Sequence, residues 1–285
     1  MKPERPRPAR PPRRAPADKP RPANKVASKP SGKPVAKPAE NAPAPGTPQR
    51  IAKLLARAGI ASRRDIERMI EDGRIALNGV TLTTPATLLV DLANVTVDGN
   101  PVAEPEAARL FLFHKPGGCL TTARDPKERR TIYDILPKNL PRLQPVGRLD
   151  MNTEGLLLLT TDGELKRALE LPANAVERKY RVRVYGRVEQ SALEALSEGV
   201  EIEGVRYGPI LADMERRTGA NGWLSMTLKE GKNREVRRVA EHLGLEVTRL
   251  IRTAYGPFNL GDSEPGEVAE VTPHELAKLQ KQLKK

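Results

Sequence analysis

The chain has 285 residues, room for two compact domains and a tail, and carries 49 Lys/Arg against 36 Asp/Glu for a formal net charge of +13. That balance suits a polyanionic partner, nucleic acid first, and says nothing about fold. A single cysteine, Cys119, excludes an internal disulfide, and three scattered histidines (His114, His242, His274) give no metal-ligand spacing, so no metal site is expected and Cys119 reads as a small buried hydrophobe in a reducing compartment.

Residues 1–48 hold 14 of the 27 prolines and 12 Lys/Arg against 3 Asp/Glu, with no Leu, Ile, Phe, Tyr or Trp. Such a segment cannot bury enough apolar surface to offset ordering entropy, so it is expected to be a disordered basic tail, able to tether RNA loosely or simply to solubilise. No apolar run follows the charged start, and the longest aliphatic stretch, Leu156–Leu159, is far below the ~18 residues of a membrane span. A cytoplasmic protein without a membrane partner is the expectation. With no long heptad pattern, monomer is the default.

Residues 50–103 read as a small α/β module. Ile51, Leu54, Leu55 and Ala58 recur at helical spacing, and Gly59 stops that helix. Ser62 stands at an N-cap before a second helix through Ile66, Met69 and Ile70. A hairpin follows, Ile75–Leu77 and Val80–Leu82 around Asn78-Gly79, then a strand Val95–Val97. The order and wording, RIAKLLARAGIASRRDIERMIEDGRIALNGV, resemble the S4 RNA-binding domain. That resemblance implies RNA contacts from Arg57, Ser62, Arg63 and Arg64; a merely solvated helix face is the alternative.

Pro101–Ala108 reads as a linker. A second domain begins with a strand over residues 109–115 that ends at Pro116-Gly117-Gly118. Further strands are expected at Gly155–Thr160, Lys179–Tyr185, Leu224–Lys229 and Val247–Arg252. Helices are expected at Ile132–Leu136, Gly163–Leu171, Gln190–Ser197, Asn233–Leu243 and Pro273–Leu283. Irregular alternation predicts an α+β domain around a mixed, mostly antiparallel sheet over 109–272, with a C-terminal helix in 273–285.

The densest chemistry lies in PVGRLDMNTEGLLLLTTDGEL, residues 145–165, where a polar loop runs into an apolar strand and can hold a carboxylate at a cleft. Asp150, Asn152 and Glu154 mimic the start of a calcium loop, but its twelfth position is Thr161 where a Glu is needed, which discards calcium. GRLDMNTEGLLLLTTDG resembles the catalytic signature of the RsuA group of pseudouridine synthases, which act on ribosomal RNA. ERKYRVRVYG (177–186) and EGKNREVRRVAEHLGLEVTRLIRTAYGPFNLG (230–261) resemble its second and third motifs. The third is similar to the branch called ribosomal large subunit pseudouridine synthase B. Many relatives carry Tyr-His-Gln where this chain has Asn233-Arg234-Glu235, which bears on substrate choice more than on the reaction.

The resemblance implies a cofactor-free isomerase. Asp150 would be the catalytic carboxylate, as nucleophile or as base. Tyr180 would lie against the uracil and Arg237 would pair with Asp150. Arg148 would fill the space left by an extruded nucleotide, and Leu250 would line the pocket. Lys115, Lys232, Arg234 and Arg252 would contact the RNA backbone. The partner would be ribosomal RNA or a ribosomal assembly intermediate. A non-catalytic RNA-binding protein and a DNA-binding regulator are the competing readings; intact Asp150, Tyr180 and Arg237 favour the enzyme.

Overall fold

The computed structural model describes residues 46–283, so the tail expected over 1–48 lies almost wholly outside the described residues. Helices α1 (Ile51–Arg57) and α2 (Arg63–Glu71) pack their apolar stripes together, burying Ile51, Leu54 and Leu55 against Ile66, Met69 and Ile70. Ser62 caps α2, its Oγ accepting from Asp65 N at 3.1 Å. Strands β1 (Ile75–Leu77) and β2 (Val80–Thr81) join across Asn78-Gly79. Asn78 takes the left-handed φ of +51° that this turn requires. With β3 (Val95–Val97) and β4 (Asn100–Pro101) they form a sheet ordered β2-β1-β3-β4.

Residues 102–109 carry no regular structure and lead into β5 (Leu110–Lys115). In chain order there follow β6 (Thr153–Thr160), α3 (Gly163–Glu170), β7 (Arg178–Tyr185), α4 (Gln190–Glu194), β8 (Val200–Ile202), β9 (Val205–Tyr207) and β10 (Ile210–Thr218). Then come β11 (Asn221–Leu228), α5 (Glu235–His242), β12 (Glu246–Tyr255), β13 (Val268–Glu270) and α6 (Pro273–Leu283). Among the described residues the large sheet has nine strands along the path β10-β11-β7-β12-β6-β5-β13, with two short strands attached to β12 and β6. Every pairing in it is antiparallel except β12 on β6, so the mixed, mostly antiparallel α+β fold holds.

Alternation on β7 and β11 buries Val182, Val184, Leu224 and Met226 beneath α4 and α5. The opposite face presents Arg181, Arg183 and Trp223. There Trp223, the one tryptophan of the chain, stands in register between Arg216 and Arg183, with the Arg181 guanidinium 4.6 Å from its ring. Leu110, Leu156 and Leu158 pack with α3 and α6 into a second cluster.

Some expected elements change shape. The helix expected at Ile132–Leu136 is a single 3-10 turn, Ile132–Asp134. The one expected from Asn233 starts at Glu235, because Arg234 adopts a left-handed φ of +51°. The sequence reading also missed β8, β9, β10 and β13. In β10 a register irregularity between Met214 and Arg216 breaks the two-residue apolar period that would have revealed it. Among the described residues no helix is long and apolar enough to cross a membrane.

α1 meets the start of α3 through Lys53–Glu164 at 2.6 Å and Arg57–Asp162 at 3.3 Å. Asp162 also caps α3, accepting from Glu164 N and Leu165 N at 2.8 Å each.

The parallel seam of β12 on β6 depends on Gly155. Its φ is +104°, and a Cβ there would lie 2.3 Å from the Arg252 carbonyl oxygen and 2.7 Å from its nitrogen. Gly155→Ala is therefore expected to destabilise by about 3 kcal/mol or more, read by denaturant unfolding; a loss within error would show that the seam can open at no cost.

Candidate active site

The loop carrying Asp150 is fixed from several directions before any ligand arrives. Thr121 Oγ1 donates to Leu149 O at 2.8 Å and accepts from Leu149 N at 3.2 Å. Glu170 accepts from Gly147 N at 2.6 Å, and Gly118 N donates to Met151 O at 2.8 Å. From beneath, the Lys115 ammonium donates to Pro116 O (3.0 Å), Met151 O (3.4 Å) and Thr153 O (2.9 Å). Lys115 is fully buried, and burial lowers its pKa. The backbone contact expected of it gives way to a structural role: its ammonium donates to three loop carbonyls.

Arg237 is corrected in the same sense. Its guanidinium donates to Asn152 O at 3.0 Å and Val247 O at 3.3 Å, tying α5 to the loop and to β12. The cation paired with Asp150 is instead Arg234, at 3.5 Å. Arg237 still feels Asp150 as a favourable charge, but burial, and after it Arg234, lower its pKa. The pairing moves to Arg234 because the left-handed turn that starts α5 swings that side chain over the loop.

Asp150 borders a cleft of about 700 Å³. Its walls include Arg148, Tyr180, Lys232, Arg234, Leu250 and Arg252, so most of the residues expected at the site are brought together. Tyr180, half-buried, stands opposite Arg252 on β12, while Leu250 lies beside Thr153 across the parallel seam. Arg148 is exposed at the cleft, and no ion pair or hydrogen bond holds its side chain among the described residues. Lys232 pairs with Glu230.

The S4-like residues lie elsewhere. Arg63 and Arg64 are exposed on α2. Arg57, its side chain exposed, pairs with Asp162, and the hydroxyl of Ser62 is engaged by Asp65 as the α2 cap. Cys119 is fully buried, its Sγ 3.4 Å from Pro116 O.

Sequence reasoning missed Thr153, Arg178, Glu230, Glu235 and Tyr255 in the cleft wall. Their signal lay inside the quoted motifs, but burial decides their role. Among the described residues, three buried polar atoms in this wall have no hydrogen-bond partner: Thr153 Oγ1, Glu235 Oε1 and Arg252 Nη2. Orphaned groups of this kind are costly, and their clustering in one cleft marks a place built for a polar ligand. Burial pushes the Glu235 carboxyl up to about 7; the Lys232 N–H opposes this, and neighbouring Glu230 adds to it.

Residues 109–242 match the family described as RNA pseudouridylate synthase, and residues 49–91 match the S4 domain. A chain described as an uncharacterized RNA pseudouridine synthase from Rickettsia bellii is 45% identical over 224 residues, 79% of this chain and 97% of that one. A solved structure described as a pseudouridylate synthase superposes with a TM-score of 0.57 at 28% identity, covering 81% of this chain and 99% of that one. The chain belongs to the RNA pseudouridine synthases: it is an RNA isomerase with an S4 domain in front. The ribosomal large subunit pseudouridine synthase B of Salmonella typhi is 43% identical over 226 residues, 76% of this chain and 77% of that one.

The Glu235 carboxyl gives a stability test. Its folded pKa of about 7 lies above the ordinary 4.5, so the folded state holds an extra proton between those values. That stabilisation is complete below about pH 4.5 and is lost as pH rises through 7. Glu235→Gln should flatten this decline, so that its Tm relative to the parent chain rises between pH 5 and pH 8 by the equivalent of roughly 1–3 kcal/mol. A constant Tm difference across that range would place the proton elsewhere.

Proposed function

We propose that the protein converts one uridine of ribosomal RNA, in the large subunit, to pseudouridine, with Asp150 as the catalytic carboxylate and no cofactor. The observation that carries the reading is the over-determined loop: hydrogen bonds with Thr121, Glu170, Gly118, Lys115 and Arg237 hold it while Asp150 borders the cleft. A reacting group pre-positioned in this way loses little freedom when substrate arrives. The name of the Salmonella typhi relative supports the choice of ribosomal RNA.

The reaction breaks the bond from N1 to C1′ of the ribose, turns the uracil ring, and joins C5 to the same carbon. The proton lost from C5 is matched by one gained at N1, so the product is an isomer and nothing is oxidised. A carboxylate can serve by attacking the sugar or by taking a sugar proton. Arg234 orients it from one side. Tyr180 and Leu250 supply the flat and apolar walls that a uracil ring needs. Extrusion of the nucleotide from its stack is required, and exposed Arg148 is the side chain placed to occupy the gap.

Asp150→Asn should fold like the parent chain, bind RNA, and lose activity by at least about a thousandfold. The assay maps pseudouridine in unmodified ribosomal RNA by a chemical adduct that stops reverse transcription. A stop at one uridine, absent with Asp150→Asn, would support the reading; an undiminished stop would remove Asp150 from the chemistry. Deleting residues 1–48 should flatten the dependence of RNA affinity on salt while leaving the modified uridine unchanged, because those residues add charge without sequence choice. A shifted position after deletion would show that they take part in target selection.

A further inference from the structure

The cleft holds more positive charge than its acids neutralise. Asp150 pairs with Arg234, Glu170 with Lys166 and Glu230 with Lys232, and the fourth acid of the wall, Glu235, accepts from Lys232 N. Three further cations in the wall, Arg148, Arg178 and Arg252, lie within ion-pair distance of no carboxylate among the described residues; Arg148 is exposed, but only 6% and 2% of the Arg178 and Arg252 surfaces are. The last two sit against the same ring, with guanidinium carbons 4.9 and 5.0 Å from the centre of Tyr255. Cation–π attraction offsets only about 1–2 kcal/mol per pair, which leaves two buried like charges against one ring.

The hydrogen bonds do not remove that charge. Arg178 donates to the carbonyls of Val176, Lys229 and Leu169 and to the Tyr255 hydroxyl, all neutral. Arg252 uses Nε on Leu156 O at 2.7 Å; its Nη1 and Nη2 hold no hydrogen bond among the described residues, and Nη2 is buried. The group able to answer both the free donors and the charge is an anion, and a guanidinium fork matches a phosphate. A uracil carbonyl would satisfy one N–H and leave the charge standing.

We propose that Arg252, supported by Arg178 on the same Tyr255 ring, binds a phosphate group of the RNA chain that enters the cleft with the extruded uridine. The location supports this assignment. Arg252 is the register partner of Tyr180, and Arg178 is the register partner of Tyr255, so the pair lies beside the position proposed for the base. The inference rests on the isomerase reading for the identity of the nucleotide, but its chemistry can be tested without turnover.

The test is competition. Labelled ribosomal RNA bound to the full chain is displaced by uridine, by uridine monophosphate, or by uridine with equimolar inorganic phosphate, all at one ionic strength. Uridine monophosphate is expected to compete at least about tenfold better than uridine, and free phosphate should not restore that advantage. In Arg252→Gln and Arg178→Gln, checked for folding by thermal unfolding, the advantage should vanish while uridine competes as before. Equal potency of uridine and its monophosphate on the parent chain, no competition from either, or an advantage that survives both substitutions would overturn the proposal. Should either variant fail to fold, the parent-chain comparison still decides. The isomerase reading fails separately, by absence of pseudouridine, and that result leaves the phosphate advantage intact.

Discussion

At Gly155 two backbones approach more closely than any side chain would allow, and the rest of the site follows from that contact. It places β12 alongside β6 in the one parallel pairing of the large sheet. Leu250 is thereby set beside Thr153, and Arg252 beside Gly155 itself. The chain just before β6 is the Asp150 loop, so the seam fixes the distance between the Asp150 carboxylate ahead of one strand and the cleft wall on another. Lys115 completes the arrangement from below. A buried ammonium is expensive unless its protons are all accepted, and here three carbonyls accept them. The cost of burying it is offset by holding a loop that has no regular structure to hold itself.

The same economy explains the strained Arg234. A non-glycine residue in the left-handed region costs about 1 kcal/mol or more, and it persists because α5 on one side and Asp150 on the other determine its place. Helix α3 has a comparable double duty. Its first turn is bonded to α1 of the S4 domain, and near its end Lys166 donates to Pro145 O at 2.5 Å while Glu170 holds Gly147 N. One short helix thus touches both the S4 domain and the start of the loop bearing the carboxylate. Charges in the cleft were in place before substrate, the condition under which fixed dipoles and ions act without reorganising.

What could be read from the sequence was whatever has a local cause. Apolar spacing placed α2 and α6, and Asn78-Gly79 placed its turn. The strand after the Asp150 loop was visible as polar residues running into Leu156–Leu159, although it begins at Thr153, two residues before the expected Gly155. Long-range causes were not legible. Lys115 and Arg237 look like any cations until the carbonyls they hold, 38 and 85 residues away, are brought to them. The ion-pair partner of Arg57, Asp162, was equally out of sight, because it lies in the other domain. The motif carrying Tyr180 also contained Arg178, but only burial without a carboxylate distinguishes it from the exposed Arg183 in the same strand. β10 escaped because its outward face is charged and its period is interrupted.

The position of Trp223 has a consequence for optical work on this protein. It is the sole indole, packed beneath the Arg181 guanidinium on the face of β11 that points away from the buried side of the sheet, whereas Tyr180 and Tyr255 line the cleft. Intrinsic emission excited at the red edge therefore reports the integrity of β7, β10 and β11 and not the occupancy of the cleft. Fluorescence can follow unfolding of the sheet in the presence of RNA without confusing the two events, and a chromophore for the cleft has to be introduced from outside.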